Sequence, residues 1–171
     1  QMIEDTLITA FYEAHKQQLV LREMILKGAL VVIPNGAPNV ADLRKYLHGL
    51  CDAESLEWIE KYVYQYGVGY ELFVEDWKLS GEVLECLPLE KQELGKLLRK
   101  SKQIELQDSI NTYLLEVVDY HLAGSVMPLD YARKDIEENI LRARRVEFLE
   151  NAREELYDKS IKNGKLKRYE K

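Results

Sequence analysis

Met24-Ile-Leu-Lys-Gly-Ala-Leu-Val-Val-Ile33 is the stretch on which the fold turns. Aliphatic and β-branched side chains follow one another through it, and Pro34-Asn-Gly-Ala-Pro38 stops it. Such a run reads as a central strand that ends in a turn. A central strand needs neighbours, and three other runs have strand composition: Tyr70 to Val74, Lys102 to Gln107 and Thr112 to Tyr120. The last two flank Asp108-Ser-Ile-Asn111, which makes them a hairpin pair.

Helical periodicity fills the intervals. Ile3, Leu7, Ala10, Phe11 and Ala14 form the apolar side of a first helix, Ile3 to Leu19. Asn39 is placed to cap a short helix over Val40 to Leu47, with Asp42 in its first turn. Asp52 to Tyr66 carries Leu56, Ile59, Val63 and Tyr66 on one stripe, and Gly67 and Gly69 end it. Two further helices are expected at Ser80 to Leu87, stopped by Pro88, and at Leu89 to Lys100. Pro128 then opens a long helix, where Leu129, Ala132, Ile136, Ile140, Ala143, Phe148, Ala152 and Leu156 read as one stripe to about Lys162, with Gly164 as the stop. Thirty-odd helical residues span on the order of 45 Å. The predicted class is α+β: a small antiparallel or mixed sheet flanked by helices, with N-terminal and long C-terminal helices.

Composition narrows the function. The chain has 171 residues, 46% of them hydrophobic, with 24 Lys+Arg against 30 Asp+Glu for a net charge of −6. That is enough to bury a core without disulfides or metals, and too mixed for a disordered chain. No apolar run approaches the ~20 residues of a membrane helix, so a soluble chain is expected. The acidic balance argues against nucleic acid as a partner. Lys159 to Lys171 carries a net +5, and this tail reads as a solvated helix end.

Site chemistry is sparse. His15, His48 and His121 have no metal-ligand spacing and read as structural or exposed. Cys51 and Cys86 fit two thiols or one disulfide. Gly67-Val-Gly69 follows a helix where a phosphate loop would precede one. No serine sits in a nucleophile elbow, and the paired glutamates, such as Glu137 with Glu138, lie on charged helix faces. Tyr62, Tyr64, Tyr66 and Tyr70 cluster at the end of a helix, as core aromatics or as a peptide-contact surface. No metal and no cofactor are expected. Binding is favoured over catalysis.

The order of these segments resembles the parvulin-type peptidyl-prolyl isomerases of the SurA and PrsA kind, in the divergent form found in Bacteroidetes. Ile8-Thr-Ala-Phe-Tyr-Glu-Ala-His-Lys16 is similar to the helix before the isomerase domain, and Glu23 to Ile33 falls at the first parvulin strand. Asp76-Trp77 resembles the Gly-Trp step, Ile110-Asn-Thr-Tyr-Leu-Leu-Glu-Val-Val-Asp119 the final strand, and Pro128-Leu-Asp-Tyr-Ala-Arg-Lys-Asp-Ile136 the returning C-terminal helix. Residues 1–22 and 123–171 would then be chaperone-type helices around a degenerate parvulin-like domain, 23–122.

Active parvulins usually carry a histidine in the first strand and another in the last, where this chain has Leu30 and Tyr113. The resemblance therefore implies a foldase or chaperone that binds unfolded or extended polypeptide and retains little or no isomerase activity, with no catalytic residue assigned. Leu30, Tyr70, Trp77 and Tyr113 would line the substrate groove, and Ile140 and Phe148 an apolar helix surface. It further implies a home in the periplasm or otherwise outside the cytoplasm, an export signal or lipid anchor upstream of Gln1, and room for a homodimer. An active isomerase and an assembly module holding one fixed partner are the alternatives.

Overall fold

The computed structural model describes residues 3–162. The chain falls into two compact units, one of residues 1–19 with 128–171 and one of residues 20–127. The positive tail beyond residue 162 and the Gly164 stop lie outside the described residues.

The middle unit is an antiparallel four-stranded sheet with helices on both faces. Its elements run β1 (Ile25–Pro34), α2 (Val40–His48), α3 (Ala53–Tyr66), β2 (Gly69–Leu79), α4 (Ser80–Leu84), α5 (Lys91–Lys100), β3 (Gln103–Gln107) and β4 (Asn111–His121), after α1 (Asp5–His15) of the other unit. The strand order is β2-β1-β4-β3, so β1 and β4 are the inner strands. Strand β1 is buried along almost its whole length, which is why its sequence is a continuous aliphatic run and not an alternation. Leu26, Leu30, Val32, Leu115 and Val117 meet Val83, Leu94 and Leu98 of α4 and α5 on one face. Ala29, Val31, Ile33 and Leu114 meet Leu43, Leu47 and Ile59 of α2 and α3 on the other. A bridge between Val20 and Val126 brings the two ends of the unit together.

Two local features depart from the sequence reading. Strand β2 continues past Val74 to Leu79, because Leu26 pairs with Lys78 whereas Gly28 pairs with Phe73, and the surplus β2 residues bulge between them. Strand β4 bulges at the same level, where Lys27 pairs with Asp119 and Gly28 with Val117. Gly28 is required there: a Cβ on it would lie 1.9 Å from the Glu116 carbonyl oxygen. Asn39 stands at the N-cap of α2 in the left-handed region (φ 58°), and its side chain makes no capping bond. Asparagine tolerates that backbone better than most residues, which gives it a conformational reason to be there.

The tyrosine cluster divides. Tyr62 is buried, donates its hydroxyl to the Pro38 carbonyl at 2.5 Å, and joins a stack that runs Tyr46, Trp58, Tyr62, Tyr66 across α2 and α3. Tyr64 is 95% exposed.

The other unit pairs α1 with the first turns of α6 (Leu129–Lys162). Ile8, Ala132 and Ile136 are completely buried and Ile140 nearly so. Arg133 bonds to Asp5 of α1 and to Glu137 at 3.2 Å on its own helix. Packing of this kind, more than intrinsic propensity, stabilises a helix as short as the 11-residue α1.

Candidate functional site

The four residues assigned to a substrate groove do not converge on one surface. Leu30 is 3% exposed and belongs, with Tyr113, to the sheet face covered by α4 and α5. Tyr70 pairs with Val31 and packs on the opposite face. Trp77 lies at the bulged end of the sheet, edge-on to His121 at 5.2 Å and under the Lys27 ammonium at 4.5 Å.

Tyr113 is committed to a structural bond. Its hydroxyl donates to Asp108 Oδ2 at 2.6 Å, while Asp108 Oδ1 accepts from the Asn111 and Ile110 amides at 2.7 and 2.9 Å. These bonds, the Asn111 amide foremost, hold the Asp108 carboxyl below the usual aspartate range, and the bond to Asp108 raises the Tyr113 phenol above the usual tyrosine range. The pair braces the β3–β4 turn.

One polar constellation was invisible in the sequence. His48, at the end of α2, reaches across 68 positions to place Nδ1 2.8 Å from Oε1 of Glu116. Glu116 is 7% exposed in the middle of β4, and its Oε2 accepts from Gln103 Nε2 at 2.9 Å. A buried carboxylate is tolerable only when its oxygens are bonded in this way. Beside it, Arg44 clasps Glu105 through Nε and Nη2 at 3.0 and 2.7 Å. These residues and Leu47 edge a cleft of about 180 Å³ in which Glu105 and Glu116 are bonded to their neighbours. No nucleophile completes it, and no group of three or more His, Cys, Asp or Glu suited to a metal occurs among the described residues. Cys51 and Cys86 are free and exposed.

The long helix carries several exposed apolar side chains close together. Its apolar residues form two stripes where the sequence reading has one. At 100° per residue, the face of Ala132, Ile136 and Ile140 continues into Ala143, Glu147, Glu150, Glu154 and Asp158 and turns acidic. Leu141, Phe148, Leu149, Ala152 and Leu156 centre roughly 170° away from it. Ile140 therefore belongs to the buried face, at 9% exposure, whereas Phe148, Leu149 and Leu156 are 72, 57 and 65% exposed on the opposite one. Leu141, Arg144, Arg145 and Phe148 together line a shallow depression there.

No family model and no curated protein matches the chain. Among solved structures, one of the structurally related SurA-like chaperones of Campylobacter jejuni, the virulence factor PEB4 and the periplasmic protein Cj1289, aligns with 99% of this chain at 13% identity and a TM-score of 0.39. The alignment spans 65% of that chaperone chain. No described helix is long and apolar enough to cross a membrane.

Proposed function

We propose that the protein is a SurA-like chaperone module that holds extended or unfolded polypeptide, and that its working surface is the second stripe of α6. The observation that carries this reading is the exposure of Phe148, Leu149 and Leu156 on a helix face turned away from the one that packs on α1. A large apolar surface left open to water marks a place where another chain binds. An amphipathic helix of this kind contributes area to extended segments of many sequences, because its contacts are apolar and non-directional.

In the same reading residues 1–22 and 123–171 act as the chaperone helices and 23–122 is a parvulin-like domain without isomerase chemistry. Leu30 fills the core and Tyr113 braces a turn, so neither offers a group to polarise a prolyl amide. The expected home is outside the cytoplasm, reached through an upstream export signal or lipid anchor.

The test is breadth. The chain is expected to suppress aggregation of several unrelated unfolded proteins at stoichiometric amounts and to give no protease-coupled isomerisation of proline tetrapeptides above background. Capture of a single partner with no effect on the others would favour the assembly-module alternative. Turnover abolished by substitutions at Leu30 or Tyr113 would reinstate the isomerase.

A further inference from the structure

The second stripe of α6 has a charge pattern that its apolar residues alone do not need. Arg144 lies along one border of the stripe, Arg142 along the other, and Arg145 in its middle between Leu141 and Leu149, by the same 100° progression. Arg153 and Lys159 continue the basic character toward the end of the helix, with Glu155 as the exception. The acids Glu147, Glu150, Glu154 and Asp158 lie on the far side. Arg142, Arg144 and Arg145 are exposed and make no ion pair among the described residues. From residue 141 onward the helix has thus largely sorted its charges, placing guanidinium groups with the uncovered apolar side chains, while Glu137 and Glu138 on the same side mark the turn where the sorting begins.

Resting on the client-binding reading above, we infer that this surface selects polypeptide segments in which apolar residues are interspersed with carboxylates. An apolar client side chain packs on Leu141 and Phe148 in the depression that Arg144 and Arg145 line. Aspartate or glutamate one or two residues away then meets a guanidinium suited to bidentate carboxylate pairing.

Two other occupants fit less well. Residues 141–162 hold six Lys and Arg against five Asp and Glu, a net of only +1. The face of this helix would be drawn only weakly to an anionic membrane, since its acids lie within about a Debye length of its bases, and such attraction would concentrate instead on residues 163–171, which hold four Lys and Arg against one Glu. A second copy offering its acidic face to this basic one would form a heterologous, head-to-tail contact, which leaves one basic and one acidic face open unless a ring closes.

The experiment uses the full chain and short fluorescent peptides that share the same Phe, Leu and Ile positions and differ only in having Glu, Gln or Lys between them. The Glu peptide is expected to bind roughly tenfold more tightly than the Gln peptide at low salt. The Lys peptide should be weakest, and the spread should shrink at high salt. The double variant R144Q/R145Q is expected to bring the Glu peptide to the level of the Gln peptide. Equal binding of all three peptides to the native chain, or a preference that survives R144Q/R145Q, overturns the inference. So does stronger retention on vesicles of phosphatidylglycerol and phosphatidylcholine than on any peptide, or a concentration-dependent self-association that the Glu peptide fails to displace. F148D separates the two levels of the argument. If it abolishes binding of every peptide while charge makes no difference to the native chain, the client surface stands and the selectivity falls. If every peptide binds F148D as it binds the native chain, the client surface itself is wrong.

Discussion

The inner strands of the sheet and the distal part of α6 are built from similar residue types and end in opposite situations. Strands β1 and β4 have helices on both sides, and almost every aliphatic side chain they carry is buried. Beyond Ile140, α6 carries Leu141, Phe148, Leu149 and Leu156 on one side, and none of Phe148, Leu149 and Leu156 is covered. Hydrophobicity alone does not distinguish the two regions. The difference lies in whether the fold supplies a second layer, and where it does not, the apolar area is available to another chain.

Substitutions put a scale on this contrast. The largest effect is expected from Ile136→Ala, which empties a completely buried site between α1 and α6. It should lose about 2–5 kcal/mol in chemical denaturation followed by circular dichroism. Phe148→Ala, a larger truncation on the same helix, should stay within about 0.5 kcal/mol of the native chain. Similar losses at the two sites would break the comparison.

In the sheet, Gly28→Ala drives a methyl group into the β4 backbone at the bulge and should cost about 1–3 kcal/mol or more. Glu116→Ala tests the polar part of the same region. It removes the acceptor shared by His48 and Gln103, so about 1–3 kcal/mol is expected, read from the shift of the urea midpoint. His48→Ala in the Glu116→Ala background should then add little, because the bond they share is already gone.

The smallest effect belongs to the exposed turn. Asp108 has a depressed carboxyl in the folded chain, so its contribution is complete above the ordinary aspartate pKa and is lost as pH falls through the lower folded value. Tyr113 has a raised phenol, so its contribution is complete below the ordinary tyrosine pKa near 10 and disappears as pH rises through the higher folded value. Asp108→Asn should lower the melting temperature slightly at neutral pH, and the gap to the native chain should close below about pH 4. A gap that stays constant from pH 7 to about pH 3 would show that the charge on Asp108 is irrelevant.

The element order was legible because each segment carries its own signal: the aliphatic run of β1, the 3.6-residue stripes of α2, α3 and α5, and the Asp108 to Asn111 turn. What escaped depended on information that no single segment holds. The extension of β2 through Trp77 follows from its pairing with β1 across a bulge. The bond between His48 and Glu116 joins positions that only the sheet brings together. The two stripes of α6 are in principle readable, since the 800° from Ile140 to Phe148 already separates those two residues by 80° on the helix, but apolar residues at intervals of three to five pass for one stripe unless the angle is followed. Followed in this way, the angle separates Ile140, which is buried, from Phe148, which faces water.

If the uncovered stripe of α6 holds unfolded polypeptide, charges placed on it abolish that binding and leave the fold intact. The most direct measurement is light scattering from a chemically denatured protein diluted into buffer with native chain, with F148D/L156D, or with a control that adds the same two negative charges on the acidic face, A143D/N151D. F148D/L156D is expected to melt within a few degrees of the native chain and no longer suppress scattering, while the control behaves like the native chain. Full suppression by F148D/L156D, or loss of suppression only alongside loss of fold, would contradict that expectation.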